Sequence, residues 1–311
     1  MSVSGEMRQV SGGPAVVTLQ GGLGRADEKP SLDEVVRRID EISSLPHVAL
    51  RVLEVANDPR AGAADLKEVM EVDVALSARV LRCVNSSAYA VRTKVTNLQQ
   101  AIAYLGLKQV RNLAMAIGVS QMFREDKAIG PYRRSQLWRH LVSVGVCARL
   151  IAMRLRYKAF EDVFLAGLLH DIGLVLEDQY AHRQFVAILE NLDLDKTLAE
   201  NEHRFLLFDH ARLGDRVGEQ WKFPDSIRDA IRHHHAPEAC RGEGAEVVRY
   251  VEMANLICTL KGIPSVGAKL VKVSKATLSA LALGKDDLMV IAQDLDRELA
   301  QNAELLGMGS P

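Results

Sequence analysis

His170 and Asp171 stand side by side after the apolar run FLAGLL, and imidazoles from three distant stretches are candidates to meet them. His140 comes from LWRH, His210 from FDHARLGD, and His234 with His235 from a triple-histidine run before Pro237. Imidazole nitrogen and carboxylate oxygen suit Zn, Fe, Mn and related divalent ions. Adjacent residues on a helix point about 100° apart. His170 and Asp171 can therefore straddle one ion, or Asp171 can bridge two ions while His170 holds one. Two ions sharing a carboxylate can activate water and clamp both the attacking and the leaving oxygen of a phosphodiester. Scattered histidines also serve as core, cap and surface groups, so spacing alone leaves a metal site and a structural role both open.

Helices must position these groups. Leu137, Leu141, Val144, Ala148 and Ile151 recur at helical spacing around His140, which predicts a helix from near Tyr132. Helices are expected at about 160–172, 181–191, 196–206, 209–221 and 225–235. His170-Asp171 then closes the first of these, His210 opens the fourth and the histidine run closes the fifth. Two more are expected at 244–261 and 269–283, and an amphipathic one at 285–305. The stripe Leu288, Ile291, Leu295 and Leu299 on that last helix is expected to close the second unit, because left exposed it would be an association surface.

A first unit precedes them. Val35, Val36, Ile39 and Ile42 form a stripe that stops before Pro46, and Val48, Val52, Leu53 and Ala56 a second that Asn57-Asp58-Pro59 ends. Leu66, Val69 and Met70 mark a third helix. Asp73 is placed to cap a fourth, with Leu76, Val80, Leu81 and Val84 inward. Asn97 and Gln100 resemble a capping box, Gly106 stops that helix, and Val110, Leu113, Ala114 and Ile117 restart the period. The fold expected is all-α, as two consecutive irregular helical bundles. Its divisions are a flexible tail at 1–30, a first subdomain at 31–125, a second at 132–284, and a C-terminal helix and tail at 285–311. Within the tail, Ala15-Val16-Val17-Thr18-Leu19 is a stretch able to dock locally.

Several marked residues have plain structural readings. Trp138 and Trp221 are expected to brace the metal-candidate helices, and Gly167 to let another helix pack closely. Asn85-Ser86-Ser87 reads as a C-terminal turn stabilised by the Asn and Ser side chains. Cys83, Cys147, Cys240 and Cys258 are far apart with no CxxC pair, as buried thiols of a reducing compartment would be. The chain is 48% hydrophobic but only 5% aromatic, which favours aliphatic helix packing over β-sandwiches. Its formal net charge of -1 gives no global attraction to nucleic acid or anionic lipid. No apolar run is long enough to span a bilayer and no signal-like h-region opens the chain, so a cytoplasmic location is expected.

The order His140, His170-Asp171, His210, His234-His235 resembles the HD phosphohydrolase superfamily, and residues 31 to 260 resemble its HDOD branch. The marks are LPHVALRVLEVANDP, EVDVALSARVLRCVNSSAY and LQQAIAYLGLKQVRNLAM, then LWRHLVSVG, FLAGLLHDIG, DHARLGDRVGEQWKFP and AIRHHHAPE, in one order with compatible spacing. The resemblance implies an HD-like second bundle. It also implies a divalent-metal cleft for one or two ions of Fe, Mn or Zn. His140, His170 and Asp171 would hold the first, and Asp171, His210, His234 and His235 the second. Arg139, Arg212 and Arg232, next to these in sequence, are candidates to contact phosphate. Where active relatives of the HD-GYP branch carry a final metal aspartate, this chain has Asn255, a neutral and weaker ligand. The lysine that commonly follows HDIG is Leu174 here, and the GYP segment is missing.

These departures favour a bacterial signalling regulator that binds another signalling protein, with a metal-binding cleft retained as a relic or as a switch, or with no ion at all. A nucleotide ligand fits the same scheme. The alternative is a metal-dependent phosphohydrolase acting on a cyclic dinucleotide, with His170 and Asp171 catalytic. A nucleic-acid-binding regulator is a third reading, which the net charge disfavours.

Overall fold

Aliphatic periodicity becomes helix over most of the residues that the computed structural model describes, which are 29–42, 47–242 and 244–309. The expected tail as far as residue 28, with Ala15–Leu19, and the break at Pro46 lie outside them. Six helices come first: α1 Leu32–Ile42, α2 His47–Asn57, α3 Ala63–Glu71, α4 Val74–Val84, α5 Leu98–Leu105 and α6 Leu107–Ser120. Asp73 caps α4 as expected, its carboxylate accepting from the Leu76 N–H at 2.9 Å. Asn97 caps α5 in the same way through the Gln100 N–H. Gln100 reaches back one residue further than a capping box requires, to the Thr96 N–H. Gly106 separates α5 from α6 at φ 85°, a region that a side chain disfavours. Asn85 serves structure: its amide bonds the carbonyls of Leu81 and Val95 and so ties down the loop after α4.

The segment between the two groups of helices is a small antiparallel hairpin, Ala128–Ile129 against Tyr132–Arg133, turning at Gly130 with φ 52°. Eleven helices follow: α7 Arg134–Arg154, α8 Phe160–Leu169, α9 Ile172–Tyr180, α10 His182–Glu190, α11 Leu198–Glu202, α12 His210–Gln220, α13 Asp225–His233, α14 Ala245–Leu260, α15 Lys275–Leu281, α16 Lys285–Gln301 and α17 Ala303–Gly307. The molecule is all-α with this one small sheet. The helices expected over 196–206 and 269–283 are shorter, at Leu198–Glu202 and Lys275–Leu281, and two other local expectations change. The helix expected over 160–172 ends at Leu169, so His170 and Asp171 form the turn into α9, a helix the periodicity did not separate. The final amphipathic helix breaks at Asn302, where α17 folds back to place the Leu305 carbonyl on the Trp138 Nε1–H at 3.1 Å. Leu295 and Ile291 of α16 are buried, so that stripe closes the fold within the chain.

Two apolar clusters form the core. The smaller joins α2 to α6 through Val52, Leu66, Met70, Val80 and Ile117. The larger surrounds α7 and α8 and also takes in Val35 and Ile39 of α1. Helix α6 is buried on every side from Val110 to Ser120, feeding Leu113 to one cluster and Met115 to the other. A polar seam crosses between them. Asn112 donates to the carbonyl and carboxylate of Glu161 at 2.8 Å, and buried Arg111 pairs with Asp162 at 2.9 Å. Where α7 meets α8, Gly145 and Gly167 face each other: a Cβ on Gly167 would lie 2.8 Å from the Gly145 Cα. Their missing side chains set the depth at which α8 delivers His170.

Candidate metal centre

Four helix boundaries and one helix interior converge on Asp171. Its Oδ2 lies 3.3 Å from His170 Nε2 and 3.6 Å from His140 Nε2. Its Oδ1 lies 3.1 Å from His234 Nε2 and 3.3 Å from His210 Nε2. His210 Nε2 is also 3.0 Å from His235 Nε2. The ligand atoms fall into two sets sharing Asp171: His140 and His170 on one side, His210, His234 and His235 on the other. All are buried except His235, which is half-buried.

The outer ring nitrogens explain why these lone pairs face inward. Carbonyl and carboxylate oxygens only accept hydrogen bonds, so the imidazole nitrogen opposite each must be the donor. His140 Nδ1 donates to the Ile263 carbonyl at 2.6 Å, His170 Nδ1 to Gly167 at 2.7 Å, and His234 Nδ1 to Ile231 at 2.9 Å. His210 Nδ1 donates to Glu202 at 2.7 Å. With Nδ1 donating outward, each of these rings turns its Nε2 towards the carboxylate, and at His170, which burial keeps neutral, acceptor faces acceptor. His140 Nε2, His170 Nε2 and Asp171 Oδ1 have no hydrogen-bond partner. Buried acceptors without donors are costly; a cation at the shared centre resolves the conflict. The residues therefore fit a metal, and their outer partners fix tautomer and ring direction as metal-ligating histidines require.

Electrostatics follow the same layout. Burial pushes His170 down to about 4, and it pushes His235 well below the usual imidazole value with help from His234 and His210. Burial opposes charge on His210 too, but Glu202 and Asp171 outweigh it and hold that imidazole well above its ordinary value. Asp171 is held well below the carboxylate range because His170, His140 and His210 outweigh its burial.

Of the remaining candidates, Arg139 and Arg212 are exposed and Arg232 is half-buried; none bonds a cluster side chain. Arg139 faces a separate cleft with Lys261 and Ile263. Asn255 is buried on α14, where its Oδ1 accepts from Thr259 Oγ1 at 3.3 Å rather than from any imidazole. Trp138 is fully buried against Phe123 and Trp221 packs at the core edge beside Phe223, both as braces.

The model of the HDOD domain matches residues 42–237, well over half of the chain. The chain belongs to the HDOD domain family. An HDOD protein of unknown function from Geobacter sulfurreducens shares 25% identity and a TM-score of 0.70, covering 89% of this chain and 97% of that one. A protein from Marinobacter aquaeolei, proposed to act in signal transduction, shares the fold at 24% identity with a TM-score of 0.69, over 88% of this chain and 60% of its own. One from Shewanella amazonensis, proposed to be a phosphohydrolase, shares it at 23% with a TM-score of 0.66, over 88% and 97%. An uncharacterized protein of Treponema pallidum is 24% identical over 64% of this chain, which spans only 38% of that protein's length. Among the described residues, no helix is long and apolar enough to cross a membrane.

Two contributors to this HDOD centre escaped sequence reading. Glu202 lies eight residues before its partner His210, and an acidic residue shortly ahead of a candidate ligand is the one signal that pointed to it. Gly173 is the other. A Cβ there would lie 1.9 Å from the His210 carbonyl oxygen, so only glycine lets α9 and α12 approach closely enough. The carbonyls of Gly167, Ile231 and Ile263 carry no sequence signal, because backbone acceptors exist at every position.

Proposed function

We propose that this chain is a bacterial signal-transduction regulator whose HD-type cleft holds one or two divalent ions as a structural or switching element, and that it acts through another signalling protein. The observation that carries this reading is the set of four imidazoles pinned through Nδ1 with their Nε2 atoms aimed at Asp171. His140, His170 and Asp171 would hold one ion, and Asp171, His210, His234 and His235 another. The mixed nitrogen and oxygen donors suit Fe, Mn or Zn. When bound, such ions supply Lewis acidity and charge at the centre. The chain's own residues orient the ligands and exclude water.

Burial argues against efficient turnover of a phosphodiester. Asp171 is 1% exposed and Leu174, where a phosphate-pairing lysine would stand, is fully buried. Among the described residues no arginine bonds the cluster side chains, and Asn255 brings no charge to it. A regulator that retains the cleft needs none of these. A cytoplasmic setting suits four free, buried thiols.

Elemental analysis of the freshly purified full chain, beside Asp171→Ala, is the test. One to two equivalents of a transition metal in the parent, lost in the variant, with no hydrolysis of cyclic dinucleotides after loading with Mn, Fe or Zn, is the expected result. A chain that takes up no metal on reconstitution sinks the metal reading. Brisk hydrolysis that Asp171→Ala abolishes replaces the regulator with an enzyme.

A further inference from the structure

A cleft of about 670 Å³ opens where α4, the end of α6 and α17 meet, and three guanidiniums line it: Arg79, Arg82 and Arg124. Arg79 and Arg82 are three residues apart on α4 and share a face. Arg124 follows the short turn Gln121–Phe123 that finishes α6. One carboxylate shares the lining: Glu304 Oε1 lies 3.7 Å from Arg82 Nε. Arg79 and Arg124 have no ion-pair partner among the described residues. Three arginines against one glutamate leave the lining two positive charges in excess, on a chain whose formal net charge is -1.

Guanidiniums stay charged throughout the physiological range and match phosphate oxygens in geometry. Arg82 and Arg124 are exposed and Arg79 half-buried, so all three can turn towards an anion that enters the concavity. We propose that this cleft is a binding site for a small phosphate-bearing anion of the diphosphate or triphosphate class, with Arg79, Arg82 and Arg124 as its charge-assisted donors. The site is separate from the metal centre. Its volume lies in the range of small-ligand sites, roughly 300–1,000 Å³. Its far wall is fixed, since α17 is anchored by the bond from Trp138 Nε1 to the Leu305 carbonyl, and a rigid wall limits the ordering cost of binding. A nucleic-acid backbone fits less well, because a formal net charge of -1 offers a strand no wider attraction beyond the cleft. The neighbouring cleft with Arg139 and Lys261 is a poorer site: Lys261 Nζ is already paired with Asp296 at 2.9 Å, and both line it.

Calorimetric titration of inorganic pyrophosphate into the chelator-treated full chain tests this, because without metal the HD centre cannot recruit phosphate through bound ions. Saturable 1:1 binding that weakens with added salt is expected. Arg79→Gln and Arg124→Gln should each weaken it about tenfold, as loss of a charge-assisted bond does, while Arg60→Gln, outside the cleft, matches the parent. Glu304→Gln should bind tighter than the parent, a gain that misfolding cannot mimic. Absence of saturable binding at millimolar pyrophosphate overturns the proposal. So does binding indifferent to both arginine variants, or single-stranded RNA binding that pyrophosphate fails to displace.

Discussion

Glu202 grips the His210 ring at its Nδ1, 2.7 Å from Oε1, and the second oxygen takes the His210 backbone N–H at 3.1 Å. One carboxylate therefore sets both the ring and the start of α12. It also makes the imidazole a stronger electron donor. Glu202→Gln should weaken metal binding about 10- to 100-fold, read by competition with a chromophoric chelator. Unchanged affinity would reduce Glu202 to a packing role.

Gly173→Ala probes distance instead of charge. The added methyl would collide with the His210 carbonyl, so α12 must shift away from Asp171 or α9 must unwind at its first turn. Metal content should fall and the melting temperature should drop, by an amount corresponding to about 1–3 kcal/mol for overpacking. A variant that keeps full metal content and stability would show that the two helices have slack that the structure lacks.

Glu177 supplies the pH test. It is fully buried with neither carboxylate oxygen hydrogen-bonded, and burial, reinforced by Glu202, raises its pKa well above 4.5. The folded chain keeps this proton where the unfolded chain has released it, so stability falls as pH rises from about 4.5 towards the raised value. Glu177→Gln removes that loss. Its melting temperature should exceed the parent's at neutral pH, with the gap narrowing as pH falls towards 4.5. A gap constant across that window would contradict the assignment.

Asp162 works in the opposite direction. Burial raises it, but Lys108 and Arg111 outweigh that and leave it below its ordinary 3.8. Its contribution is present above about pH 4 and fades as pH falls through the lowered value. Asp162→Asn leaves buried Arg111 with only Asn57 and Asn112 as acceptors. It should cost about 1–3 kcal/mol near neutrality, with the difference from the parent closing in acid. Thermal unfolding from about pH 7 to pH 3 measures both.

Local pattern explains what was legible early. The caps at Asp73 and Asn97 and the stop at Gly106 depend on residues within a few positions of each other, and all three formed. The stripe of α16 was legible for the same reason. The split between α8 and α9 was not, because ILVL-rich sequence runs through the turn and the break serves His170 and Asp171 rather than local propensity. The hairpin at Ala128–Arg133 was not legible, since two-residue strands leave no period to detect.

Ordered motifs alone identified the family resemblance and named the six residues of the cluster, since side-chain type is written in the sequence. Only the tertiary structure decided which nitrogen of each imidazole faces Asp171. That choice rests on backbone carbonyls at Gly167, Ile231 and Ile263 and on the glycine contact at Gly173, all of which exist only once distant helices have packed. The arginine cleft has the same origin, because it needs α17 folded back beside α4, more than two hundred residues away along the chain.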